Sequence, residues 1–118
     1  MKELTNLLGT EMRGLNGQIT IPQTTLKINE MAFVIGEYWA SVGVGCDYEI
    51  SDGQILSFIK SEKKYRDPGR AMSGMPGGDS AKMMLIFKAV KPGSVILKIH
   101  KVFRGNKEGT KLIRIIIE

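Results

Sequence analysis

Alternation of apolar and polar residues at a period of two runs through most of this chain, and it restricts the fold more than any other feature. Val95, Leu97 and Ile99 alternate with Ile96, Lys98 and His100, and Ile113, Ile115 and Ile117 alternate with Arg114 and Ile116. Residues two apart share one face of a strand, so each run has a face to bury. Leu26 and Ile28 repeat the pattern against Thr25 and Lys27, and Met83, Leu85 and Phe87 oppose Met84 and Ile86. The run 31–40 is apolar enough for a buried strand with Phe33, Ile35 and Trp39 on one side, which places Phe33 and Trp39 in the core. Residues 46–50 form a short strand able to pair with it, and 55–65 a strand that turns polar at Lys60. After residue 16 no segment keeps a helical period. Asn29-Glu30, Asp52-Gly53 and Lys91-Pro92-Gly93 read as turns, and 104–109 as a polar hairpin loop. About seven or eight short strands at this spacing predict an all-β, immunoglobulin-like β-sandwich.

A length of 118 residues suits one domain. Residues 1–16 read as a polar lead, in which Leu4, Leu7 and Leu8 have the spacing of a helical turn, and 17–118 as the sandwich. The longest apolar runs, 31–36 and 83–87, fall far short of the roughly 18 residues that span a bilayer. Lys2, Glu3, Glu11 and Arg13 interrupt any leader-like apolar stretch, so a cytoplasmic location is expected. The single cysteine, Cys46, rules out an intrachain disulfide and a multi-cysteine zinc site. With one histidine, His100, and no conspicuous carboxylate pair or nucleophile set, an enzyme and a cofactor are both disfavoured.

Two segments are not what a sandwich needs as connectors. Ser41, Val42, Gly43, Val44 and Gly45 have small side chains, and the glycines permit positive φ and close approach of backbone, in a tight hairpin or at a partner. The stretch 66–79 holds Pro68, Gly69, Gly74, Pro76, Gly77 and Gly78 together with Met72 and Met75. Connections that long are usually functional or disordered, and methionines suit an adaptable contact surface. In an immunoglobulin-type topology the B–C, D–E and F–G loops meet at one end, which would bring 41–45, 66–79 and 101–109 together.

Over roughly residues 17–118 the chain resembles the chagasin-type inhibitors of papain-like cysteine peptidases, a group that includes the amoebiasins. Residues 41–45 occupy the place of the family's N-P-T-T-G segment, with Gly45 matching its last residue and Tyr48 at the aromatic position that follows. Gly74-Met75-Pro76-Gly77-Gly78 is similar to the glycine segment of the D–E loop, and 86–93 to the strand and K-P-G turn after it. The R-P-W of the F–G loop has no counterpart; Lys101-Val102-Phe103 or Arg104-Gly105-Asn106 falls there.

The resemblance implies reversible, tight-binding competitive inhibition, with three loops laid into the cleft of a papain-like, cathepsin L- or B-type peptidase. The peptidase-binding residues it implies are Ser41, Val42, Gly43, Val44, Gly45, Gly74, Met75, Pro76, Gly77, Gly78, Phe103 and Arg104. No cofactor, nucleic acid or membrane is implied, and a monomer is expected. Replacing Gly43 by Trp is expected to abolish inhibition and leave the fold intact.

Cys46 reads as a buried structural thiol and His100 as a partly exposed strand residue. Net charge is +5, with basic residues concentrated in 60–70 and 98–111. They fit protected strand edges or steering toward an acidic peptidase surface. The alternative function is a single-stranded nucleic-acid-binding β-domain that uses those stretches with Tyr65, Phe58 and Phe103 as stacking platforms.

Overall fold

The computed structural model describes residues 1–7, 21–39, 43–65 and 80–118. Among these there is no helix. Eight strands follow one another: β1 (Lys2–Asn6), β2 (Gln23–Leu26), β3 (Met31–Trp39), β4 (Val44–Ile50), β5 (Leu56–Tyr65), β6 (Ser80–Ala89), β7 (Gly93–Phe103) and β8 (Asn106–Ile117). The hydrogen-bonded path runs β2-β8-β7-β4-β3-β6-β5, with β1 alongside β3. Between β3 and β4 the path is held by one pair only, Trp39 opposite Val44. There it folds over, leaving β1, β3, β6 and β5 on one side and β2, β8, β7 and β4 on the other.

The apolar faces of the two halves meet in one core. Val95, Leu97, Ile99, Ile113, Ile115 and Ile117 come from β7 and β8, and pack with Ala32, Val34, Leu56, Leu85, Phe87 and Ala89. Each fully buried Leu, Ile or Phe contributes about 1.5–3 kcal/mol of transfer free energy. Aromatic rings tie the halves together: Tyr48 of β4 stacks on Phe58 of β5 at 4.6 Å and meets Phe87 of β6 edge-on at 5.4 Å. The predicted immunoglobulin-like sandwich is the fold observed, and its only cysteine, Cys46, is free.

Several local expectations are corrected. Phe33, Ile35 and Trp39 do share a face of β3, but it is the outer one. Ala32, Val34 and Gly36 are buried instead, Phe33 is half-buried and Trp39 is exposed. Gly36 has no room for a side chain, because Cys46 lies so close over it that a Cβ there would collide with its Sγ. The spacing of Leu4 and Leu7 is not helical: β1 pairs in parallel with β3, and Leu7 donates its N–H to the Ile35 carbonyl and enters the core. Residues 2–7 therefore belong to the sandwich, while the 16/17 boundary lies outside the described residues. Strand β4 pairs along its length with β7 rather than with β3.

The polar run 104–109 is no loop. Strand β7 continues through Phe103, β8 begins at Asn106, and only Arg104 and Gly105 connect them. Both have positive φ, 51° and 81°, the conformation of a type I′ hairpin turn, whose twist matches that of the strands it joins. Polarity misled here because the exposed Asn106 and Lys107 are already part of the strand, followed by the half-buried Glu108 and the buried Gly109. A bulge at Lys101/Val102 absorbs the extra residue.

Strands β5 and β2 end the hydrogen-bonded path. The exposed Lys60, Glu62, Lys63 and Lys64 on β5 protect that edge against pairing with another chain.

Candidate functional site

Strand register brings three connections to one end of the molecule. Starting from β5, Tyr65 is opposite Ala81, whose neighbour Ser80 is opposite Trp39. Trp39 is opposite Val44, Val44 opposite Phe103, and Phe103 opposite Asn106. The β3–β4, β5–β6 and β7–β8 connections therefore all leave from this single row. They match in position the loops singled out from the sequence, although the third is a two-residue turn.

Gly43 and Arg104 join the first and third connections. The Arg104 N–H donates to the Gly43 carbonyl at 2.8 Å. Gly43 has φ +77°, and a Cβ there would sit 3.1 Å from the Arg104 nitrogen and 3.2 Å from its Cα. Glycine is thus required twice over, for a left-handed backbone and for the close approach of another main chain. A side chain at 43 would strain this left-handed backbone and press on Arg104, so Gly43→Trp is expected to cost stability as well as inhibition.

Of the other predicted binding residues, Val44 and Gly45 are the first residues of β4 and are half-buried. Phe103 closes β7, 38% exposed, and the Arg104 guanidinium lies over its ring at 5.2 Å, within cation–π range. Ser41, Val42, Gly74, Met75, Pro76, Gly77 and Gly78 lie outside the described residues. Sequence reasoning missed Trp39, 37% exposed on the same row. Its place just before the small-residue segment was the available signal, and the strand's apolar character masked it. The Lys63 ammonium lies 4.0 Å from the centre of the Tyr38 ring nearby, adding to the positive charge of this end.

Neither Cys46 nor His100 forms a reactive centre. Burial pushes the Cys46 thiol up to about 11, against the smaller opposing effects of the Glu37 carbonyl it faces and the Lys101 charge. A thiol held protonated in this way is a poor nucleophile. His100 is buried, contrary to the expectation of partial exposure. Its ring nitrogens are both engaged, Nδ1 with the Thr110 hydroxyl at 2.7 Å and Nε2 with the Glu49 carboxylate at 2.8 Å. Its partners explain how an outward-pointing strand position can hold a buried imidazole. No group of three or more metal-ligating side chains occurs among the described residues.

Among solved structures the chain is similar to the cysteine protease inhibitor EhICP2 from Entamoeba histolytica, with a TM-score of 0.68 and 16% identity over 99% of this chain and 95% of that one. The chain has the chagasin-type fold. Amebosin, known from a solution structure, matches with a TM-score of 0.62 and 14% identity over 99% of this chain and 97% of its own. PbICP-C, solved in complex with falcipain-2, matches with a TM-score of 0.57 and 14% identity over the full length of both chains. No protein-family model matches the sequence, and no curated protein does. The chagasin-type fold is thus retained here under a sequence that shares few residues with those structures.

Proposed function

We propose that this protein is a reversible, tight-binding competitive inhibitor of papain-like cysteine peptidases of the cathepsin L and B type. Its blocking surface is the end formed by 41–45, 66–79 and the Phe103-Arg104-Gly105 turn. One observation carries the reading: the row from Tyr65 to Asn106 gathers three connections at one end. It does so on a fold shared with a cysteine protease inhibitor and with a protein bound to falcipain-2. Gly43, with no side chain and a main chain braced by Arg104, suits entry into a narrow cleft. Bracing before contact lowers the entropy lost on binding.

Titration of active papain, and separately of a cathepsin L-type enzyme, with this protein tests the reading through hydrolysis of a small fluorogenic substrate. Competitive loss of activity at nanomolar inhibitor is expected. Full activity of both enzymes at micromolar inhibitor would refute it.

A further inference from the structure

We propose that Trp39 belongs to the peptidase-contacting surface, as part of an apolar strip Trp39–Val44–Phe103 that packs against an apolar wall of the cleft. This rests on the inhibitor reading above and adds to it a contact supplied by a strand rather than a loop.

Position is the first argument. Trp39, Val44 and Phe103 are consecutive rungs of one hydrogen-bonded row, and opposed residues on antiparallel strands lie about 5 Å apart between Cα atoms. On one side of the strip the β5–β6 connection ends at Ser80, opposite Trp39; on the other is the Arg104-Gly105 turn. A partner that touches all three connections must pass over the strip. This continuity favours the peptidase as its occupant.

Exposure and rigidity are the second. Trp39 and Phe103 each leave more than a third of their surface in water, though such rings are usually buried. Trp39 is held by backbone pairing on both sides, to Ser80 and to Val44, and these are the last rungs before the chain leaves β3. A large side chain on a fixed backbone loses little freedom when covered. With Arg104 stacked over Phe103, the strip combines tryptophan and arginine, residue types that most often dominate interface energetics.

Trp39 is the only tryptophan in the chain, so its environment can be read without interference. We expect Trp39→Ala to raise the inhibition constant about 30-fold against whichever peptidase the wild type inhibits, with an unchanged melting temperature. Trp39→Phe should recover most of the loss. In protein labelled with 5-fluorotryptophan, the single fluorine signal should lose its solvent isotope shift when catalytically inactivated peptidase is added. If wild type inhibits and Trp39→Ala inhibits equally, or the fluorine stays solvated in the complex, Trp39 is not in the interface and the inhibitor reading stands without it. A wild-type dimer that Trp39→Ala dissolves would give the strip to a second copy of this chain and overturn the proposal. If the wild type inhibits neither enzyme, the inhibitor reading itself fails and this inference with it.

Discussion

The carbonyl oxygen of Gly43 accepts a hydrogen bond from the main-chain N–H of Arg104 at 2.8 Å, and each residue has a positive φ. Two turns distant in sequence are therefore tied main chain to main chain at Gly43 and Arg104. A free loop of the same composition would lose its conformational freedom on binding, whereas this pair has already lost it on folding.

Substitution at 43 consequently acts on stability as well as on inhibition. Gly43→Ala should lower the unfolding free energy by about 1–2 kcal/mol for the left-handed backbone alone, with more from the 3.1 Å approach to Arg104. Inhibition should weaken in step as the turn shifts. Gly53→Ala, where an added Cβ meets nothing within 4 Å, should change stability by less than about 0.5 kcal/mol. Urea unfolding of the two variants checks this; a Gly43→Ala protein as stable as wild type would show that the two turns are not coupled.

The seam between β3 and β4 makes a second prediction. Because Cys46 Sγ occupies the space beside Gly36, Gly36→Ala should destabilise by about 1–3 kcal/mol through overpacking. Adding Cys46→Ala should restore most of that loss, a coupling that a double-mutant cycle measures directly. The thiol itself, with its pKa pushed up to about 11 by burial, should be alkylated slowly near neutral pH in the folded protein and rapidly in urea. Equal rates in both states would contradict the packing.

That seam also shows what could and could not be read beforehand. Period-two alternation in 95–99 and 113–117 identified the inner faces of β7 and β8 correctly, since Val95, Leu97, Ile99, Ile113, Ile115 and Ile117 are all buried. In β3 both faces are apolar, and alternation says only that there are two. Phe33 and Trp39 read as core residues, yet the inner face carries Ala32, Val34 and Gly36, with Phe87 and Leu85 opposite the first two and Cys46 against the third. The same misjudgement hid Trp39 from the site. Strand β1 was illegible because Leu4 and Leu7 fit a helical turn equally well, and what decides is the partner offered by β3.

Acid should weaken the link between β4, β7 and β8. Glu49 is held below its ordinary value chiefly by its hydrogen bond to His100, helped by the Lys107 charge and, more weakly, by the charges of His100 and Lys98. A carboxyl depressed in the folded state favours folding above its unfolded value, and that contribution disappears as pH falls through the lower, folded one. Wild type should therefore lose stability more steeply than Glu49→Gln as pH falls through and below the ordinary glutamate range. Urea midpoints collected across that range test it, and parallel curves would show that the Glu49–His100 contact does not contribute.

The nucleic-acid alternative makes a different demand on Phe58, and the two readings separate there. A stacking platform has to present its ring to solvent. Phe58 instead lies against Tyr48 at 4.6 Å and 27° between planes, with Phe87 edge-on at 5.7 Å. Its ring is part of the joint between the two halves of the sandwich, and it sits far along β5 from Tyr65, where the three connections gather. Phe58→Ala should thus cost about 3 kcal/mol of stability. Below its melting temperature it should inhibit peptidase as the wild type does. Any affinity for a fluorescent single-stranded oligonucleotide should be weak, vanish as salt is raised and be the same in wild type and variant. A folded Phe58→Ala protein that selectively loses oligonucleotide binding would instead make the ring a contact surface, and the basic stretches 60–70 and 98–111 would become the functional face.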